Sequence, residues 1–204
     1  MQAQNTRDHL LEVGLRLIHS MGYTATGMKE ILDAAGVPKG SFYHYFPSKE
    51  AYANEVLKLY AQSESERCQR IFSDTATAPL GRLRRYFEEL IRTYGPTAEL
   101  HGCMLGNLSL EMADRSDSTQ AILRDSFSAW QSAIVNILRE AIERGELAPS
   151  TDPEELAGFL LNSYEGALLR SRADRSSKPL ETFMDFAFTV LLRKVEEGHA
   201  VSTK

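Results

Sequence analysis

Apolar side chains recur along this chain at helical spacing, and strand-like alternation appears nowhere in it. Leu10, Gly14, Leu17, Ile18 and Met21 fall at i, i+4, i+7, i+8 and i+11, one face of a first helix that Gly22 stops. Met28, Ile31, Leu32 and Ala35 repeat the pattern over a single short helix ended by Gly36. Pro38 suits a turn or the first position of a new helix, and a third, aromatic-rich helix is expected over about 39–46. Ser48 is placed to cap a long helix running to about Ser73. The small, polar stretch 74–79 ends in Pro79 and reads as a loop. Leu83, Phe87, Leu90 and Ile91 stripe a fifth helix that Gly95-Pro96 breaks. A short helix over 104–113 and a long one over 118–144, stopped by Gly145, come next.

Two helices close the chain after a second proline-bounded break at 148–153. The first carries the stripe Leu156, Phe159, Leu160, Ser163, Tyr164, Ala167 and Leu168. The second, over about 178–197, is apolar around much of its girth. The pattern thus predicts an all-α protein of nine helices, with no internal repeat and no low-complexity segment. A chain of 204 residues, 43% of them hydrophobic, can bury a real core.

Composition narrows the classes. No run of apolar residues is long enough to span a membrane. Residues 1–8 lack the basic patch and apolar stretch of a secretion signal, which points to a cytoplasmic protein. In such a compartment Cys68 and Cys103, far apart in sequence, are not expected to form a disulfide. No Cys/His spacing suits zinc, and no Gly-rich phosphate loop, nucleophile elbow or carboxylate dyad marks an enzyme, so neither metal nor cofactor is expected. The net charge of -5 gives no hint of nucleic acid. Within residues 1–50, Arg7, Arg16, Lys29, Lys39 and Lys49 are matched by Asp8, Glu12, Glu30, Asp33 and Glu50. Any DNA binding must come from a few well-placed cations.

Residues 28–49, MKEILDAAGVPKGSFYHYFPSK, have the layout of a support helix, a tight turn and a recognition helix. Gly36 can take a left-handed turn conformation without steric penalty. Lys39 and Ser41 open the next helix, where base edges and phosphates come within reach, and Gly40 permits close approach of backbone to DNA. Phe42 and Phe46, four apart, are the expected buried pair, which leaves Tyr43 and His44 to face a groove or the backbone. A small three-helix cluster with an aromatic plug is also a common packing unit, so patterning alone leaves DNA binding open.

The wording of residues 36–51, GVPKGSFYHYFPSKEA, resembles the helix-turn-helix of the TetR family of transcriptional repressors, and the likeness covers about residues 6–60. The resemblance implies a helix-turn-helix domain over 1–48 and a regulatory and dimerisation domain over 49–204. It implies contacts to double-stranded operator DNA from Met28 and Lys29, and from Lys39, Gly40, Ser41, Tyr43, His44 and Tyr45, with Lys49 on a phosphate. It also implies a homodimer joined through the last two helices as a four-helix bundle, which suits the apolar surfaces of 154–172 and 178–195.

The stretch HGCMLGNLSLEMAD, residues 101–114, resembles the region around the sensing cysteine in the NemR-type, electrophile-responsive branch of that family and in its acrylate-responsive relatives. Cys103 would sit at the start of the sixth helix, where free amides and the helix dipole favour a thiolate, and His101 could assist. Where that branch carries a lysine near the end of the eighth helix, this chain has Arg172, which can hold a thiolate but cannot readily bond to it covalently. A free cysteine is also a good small hydrophobe for packing, so Cys103 stays open between sensor and core. For a small-molecule inducer, Tyr86, Leu108, Met112, Trp130 and Tyr164 are candidate pocket walls or ordinary core. Cys68 and Glu165 are read as packing or surface and as solvated, respectively. The alternative regulator senses no small molecule and answers to a partner protein or to its own abundance; a filled core beside Cys103 and Trp130 would favour it.

Overall fold

The computed structural model describes residues 2–98 and 102–193. Over these the chain forms α1 (Gln2–Met21), α2 (Met28–Ala35), α3 (Lys39–Tyr45), α4 (Lys49–Phe72), α5 (Pro79–Tyr94), α6 (Met104–Met112), α7 (Asp117–Glu143), α8 (Pro153–Asp174) and α9 (Lys178–Phe186). A π-helical turn, Ala187–Leu191, extends α9, and no strand occurs among the described residues. The all-α expectation holds. The last helix was expected to run regularly to about residue 197; it turns π-helical after Phe186, and 194–197 lie outside the described residues. Among the described residues no helix is long and apolar enough to cross a membrane.

The helix ends follow local chemistry. Ser48 Oγ accepts from the Ala51 amide at 3.0 Å, Ser116 Oγ from Thr119 at 3.2 Å, and Asp152 from Glu154 and Glu155. Gly36 lies at φ 63°, ψ 29°, the left-handed geometry that closes α2 while the Val37 amide reaches back to the Leu32 carbonyl.

Two packing units share α4. In the N-terminal unit, Phe42, Phe46 and Tyr52 interlock with ring centroids 5.0–5.4 Å apart, and the Tyr52 hydroxyl donates to the Leu10 carbonyl at 2.6 Å. The expected pair Phe42 and Phe46 is thus the buried one. That plug bonds α3 to α1 and to the first turn of α4. In the larger unit, α7 and α8 pack along their length, and Phe87, Tyr164 and Phe183 join α5, α8 and α9. Arg82, 2% exposed, links three helices: it donates to the Phe72 carbonyl that ends α4 and to Glu140 of α7 at 2.5 Å.

Candidate DNA-binding face and sensor site

The α2–α3 unit presents a compact exposed face. Lys29, Lys39, Gly40, Tyr43 and His44 are exposed, while Met28, Ser41 and Tyr45 are half-buried. Lys39 Nζ lies 5.8 Å from the centroid of the Tyr43 ring, and the His44 and Tyr45 rings meet at 4.9 Å. Tyr43, at 44% exposure, is a large aromatic left in solvent although Phe42 beside it is fully buried. A Cβ built on Gly40 would meet nothing within 4 Å, so that side of α3 is open. Lys29 and Lys39 form no ion pair among the described residues, and their charge stays available to a polyanion.

Lys49 behaves differently from the cation expected at a phosphate. Its ammonium donates to the Tyr23 carbonyl at 2.7 Å, sits 4.2 Å from the centre of that residue's ring, and is held below the usual lysine range by desolvation. In the unbound protein it ties α4 to the turn between α1 and α2.

The second site lies where α6 begins. Cys103 is the N-cap residue of α6, but its side chain makes no capping hydrogen bond. It is 4% exposed, and Tyr60 of α4 points its hydroxyl at the sulfur from 3.8 Å. Burial pushes the thiol well up, and the neighbouring Glu165 carboxylate adds to the push; the Gly106 amide and the Tyr60 hydroxyl act in the opposite sense without outweighing them. The expected resting thiolate is therefore corrected: desolvation beats the helix-terminus effect, and the site favours the neutral thiol.

Glu165 is half-buried, where its sequence neighbours suggested a solvated side chain. It leans over the first turn of α6, with Oε2 2.6 Å from where a Cβ on Gly106 would stand. Its other oxygen, Oε1, is shut off from solvent and has no hydrogen-bond partner among the described residues. Burial raises the carboxyl to about 7, opposed by a hydrogen bond with Cys103. The signal was present in the sequence: Leu161, Glu165, Leu168 and Arg172 are spaced i, i+4, i+7 and i+11, one face of α8.

Cys103, Glu165 and Arg172 line one cavity of about 410 Å³ between α6, α7 and α8, walled also by Phe127, Gln131 and Leu161. A second cavity of about 610 Å³ lies between α4, α5, α6 and α7, lined by Tyr86, Trp130, Phe72, Leu105 and Cys68. Tyr86 and Trp130 are thus cavity walls. Leu108, Met112 and Tyr164, at 1%, 5% and 0% exposure, belong to the core and line neither cavity. Cys68 is buried, and burial pushes its thiol up to about 12. His101, named as a possible assistant to Cys103, lies outside the described residues.

Contacts from both ends of α6 reach the DNA-binding unit. Gly102, at φ 82°, is clamped through both peptide groups: its amide donates to the Tyr94 carbonyl at 3.0 Å, and its carbonyl accepts from His19 Nε2 of α1 at 2.7 Å. A side chain at 102 would be strained in this left-handed conformation. His19 is buried against the rings of Tyr60 and Tyr94. Near the other end of α6, the Glu111 carboxylate accepts from the Tyr23 and Thr24 amides at 3.2 and 2.7 Å. Periodicity carries no sign of these two residues' roles, because each partner lies more than 80 positions away.

Comparison with known proteins agrees with this layout. Residues 10–56 match the family model of bacterial regulatory proteins of the tetR family, and residues 79–187 match that of the tetracyclin repressor-like C-terminal domain. The chain is 34% identical over 190 residues to the HTH-type transcriptional repressor DhaR of a Mycobacterium species, covering 93% of this chain and 94% of that one. It is 37% identical over 177 residues to the transcriptional regulator AcuR of Cereibacter sphaeroides, covering 85% and 80%. The crystal structure of the reduced form of Escherichia coli NemR superposes with a TM-score of 0.84 at 28% identity, over 91% of this chain and 96% of that one. The two matched segments fall on the helix-turn-helix unit and on the body that holds both cavities. The chain belongs to the TetR family of transcriptional repressors, which are DNA-binding regulators and not enzymes.

Proposed function

We propose that this protein is a cytoplasmic, homodimeric repressor that grips palindromic operator DNA through α3 and lets go when a small reactive electrophile enters the cavity beside Cys103. The observation that carries the DNA-binding half is the exposed group Lys29, Lys39, Gly40, Tyr43 and His44, gathered on one face of a rigid three-helix unit. Lys39 and Tyr43 supply base-edge and backbone contacts, with Lys29, Ser41, His44, Tyr45 and Met28 around them. Lys49 keeps ammonium donors beyond the one held by Tyr23 and reaches a phosphate with them.

The dimer forms through α8 and α9. Phe159, Leu169, Phe186 and Val190 are 52%, 61%, 54% and 53% exposed, more apolar surface than a monomer would leave bare along one pair of helices. Two copies then present two recognition helices to the two half-sites of the operator.

The signal travels through α6. An adduct on Cys103 at its N-terminus moves the Gly102 carbonyl that His19 holds, and the Glu111 contact carries the far end of α6 to the turn before α2. The space beside Cys103 and Trp130 favours this reading over a regulator that senses no small molecule, for which a filled core would serve.

The DNA-binding half is tested with a duplex enriched from a random-sequence library. Lys39→Ala and Tyr43→Ala should each weaken that duplex by about 1–3 kcal/mol while changing binding to unrelated DNA far less. Lys29→Ala should weaken both and lower the salt slope by about one phosphate. Equal losses on both DNAs for Tyr43→Ala would remove its role in reading bases.

A further inference from the structure

The geometry points to Glu165 as the general base of the sensor: we infer that it takes the Cys103 thiol proton so that sulfur can add to an α,β-unsaturated carbonyl compound bound in the cavity between α6, α7 and α8. The inference rests on the reading of Cys103 as the sensing residue and adds the group that makes it reactive and the class of compound it accepts.

Three observations converge on it. Cys103 is held as a neutral, buried thiol, so the helix start alone does not activate it. Cys103 and Glu165 meet across Gly106, where a Cβ would stand 3.9 Å from the Cys103 Cβ and 2.6 Å from Glu165 Oε2, and the other Glu165 oxygen, on the wall of the same cavity, is buried without a partner among the described residues. Gly106 makes room for the arrangement, because a Cβ there would stand 2.6 Å from Glu165 Oε2. A buried carboxyl with an unspent oxygen beside a thiol is a poor structural element and a serviceable proton acceptor.

The step balances without any oxidant or reductant. A Glu165 oxygen accepts the S–H proton while sulfur forms a bond to the β-carbon. The C=C π pair shifts toward the carbonyl to give an enolate, and the protonated Glu165 returns the proton to the α-carbon. The product is a saturated thioether, and the carboxylate is restored. Arg172, whose guanidinium reaches to 3.6 Å from a Cβ built on Gly102, lines the same cavity and is placed to hold the carbonyl oxygen as it gains charge. Phe127 and Leu161 leave an apolar berth for the rest of a small molecule.

Ionisation of Glu165 falls where such a switch must work. Burial holds its carboxyl at about 7, so the basic form grows as pH rises through neutrality. The titratable groups that interact with it are Cys103 at the start of α6 and Tyr164 on α8; Arg172 of α8 and the neutral amide of Gln131 on α7 line the same cavity, and Tyr60 of α4 points its hydroxyl at the same sulfur.

The experiment follows the rate of Cys103 alkylation by acrolein between pH 5.5 and 9, by intact mass, on the full chain carrying Cys68→Ala. With Glu165 present the rate should climb with an inflection near neutrality. Glu165→Gln should react at least about 10-fold more slowly at pH 7.5, with no inflection near neutrality and a rate still climbing at pH 9. Gly106→Ala, which keeps the carboxylate but displaces it, should behave like Glu165→Gln. Circular dichroism and DNA binding by both variants must match the parent. Equal or faster alkylation of a folded Glu165→Gln protein, with an unmoved inflection, would overturn the base and leave Cys103 as sensor. No adduct on Cys103 in any of the proteins would overturn the sensing reading and the base with it.

Discussion

Phe186→Glu and Leu169→Glu should each yield a folded monomer whose operator affinity falls by at least about 100-fold. Both side chains are more than half exposed on the isolated chain, at 54% and 61%, so a carboxylate there stays solvated until a second copy arrives. In a bundle of α8 and α9 from two copies it would be buried without a partner, at a cost of several kcal/mol. DNA affinity then drops because the second half-site loses its tethered reader, and tethering supplies a gain of about 10²–10⁴. Light scattering would give the mass and fluorescence anisotropy the affinity. A dimer that survives both substitutions would mean that another surface joins the copies. Phe183 would be the wrong probe: it is 7% exposed and packed between Phe87 and Tyr164, so a charge there would unfold the chain.

Arg82→Ala should lower stability by about 3 kcal/mol, the range found when one member of a buried pair is removed. The guanidinium is 2% exposed, yet it satisfies the last carbonyl of α4 and Glu140 of α7 together. Removing it strands the Phe72 carbonyl, leaves Glu140 with Arg144 alone, and empties the space between three helices. Glu140→Ala should cost less, because Glu140 is 30% exposed and Arg82 keeps its bond to Phe72. Urea unfolding measures both. Equal, small losses would mean that water replaces the arginine freely.

Most of the fold was legible because its periodicity is strong and its boundaries are chemically marked. Gly36, Ser48, Pro79, Gly145 and Pro153 each act within one turn of their own position, so local rules found them. The recognition helix was legible for the same reason: Phe42 and Phe46 must point one way, which exposes Tyr43 and His44. The stripe on α8 was only half readable. Leu160, Tyr164 and Leu168 enter the core, but Phe159 stands out in solvent, and the spacing of apolar residues alone does not separate a core face from a face kept for a partner.

The sensor site was the least legible part. The sequence singled out Cys103 correctly as the residue at the start of α6, but its protonation depends on burial and on Glu165, which is 62 positions away in sequence and comes close only through the packing of α6 against α8. His19 and Glu111 escaped notice because a histidine at a helix end and a glutamate on a short helix look like ordinary surface. Lys49 has a partner that its place in the motif did not announce. Its ammonium donates to the Tyr23 carbonyl, a contact 26 positions away that the motif does not encode.

The central claim is that chemistry at Cys103 changes the grip of α3 on DNA, and one titration tests it. Operator binding would be measured by anisotropy on wild-type dimer before and after treatment with acrolein to one adduct per protomer, located on Cys103 by peptide mass. The modified protein should bind at least about 10-fold more weakly, a coupling of about 1.4 kcal/mol. Cys103→Ser should bind as tightly as untreated wild type and keep that affinity through the same treatment. Unchanged affinity in protein fully modified at Cys103, or equal release from Cys103→Ser, would contradict the account.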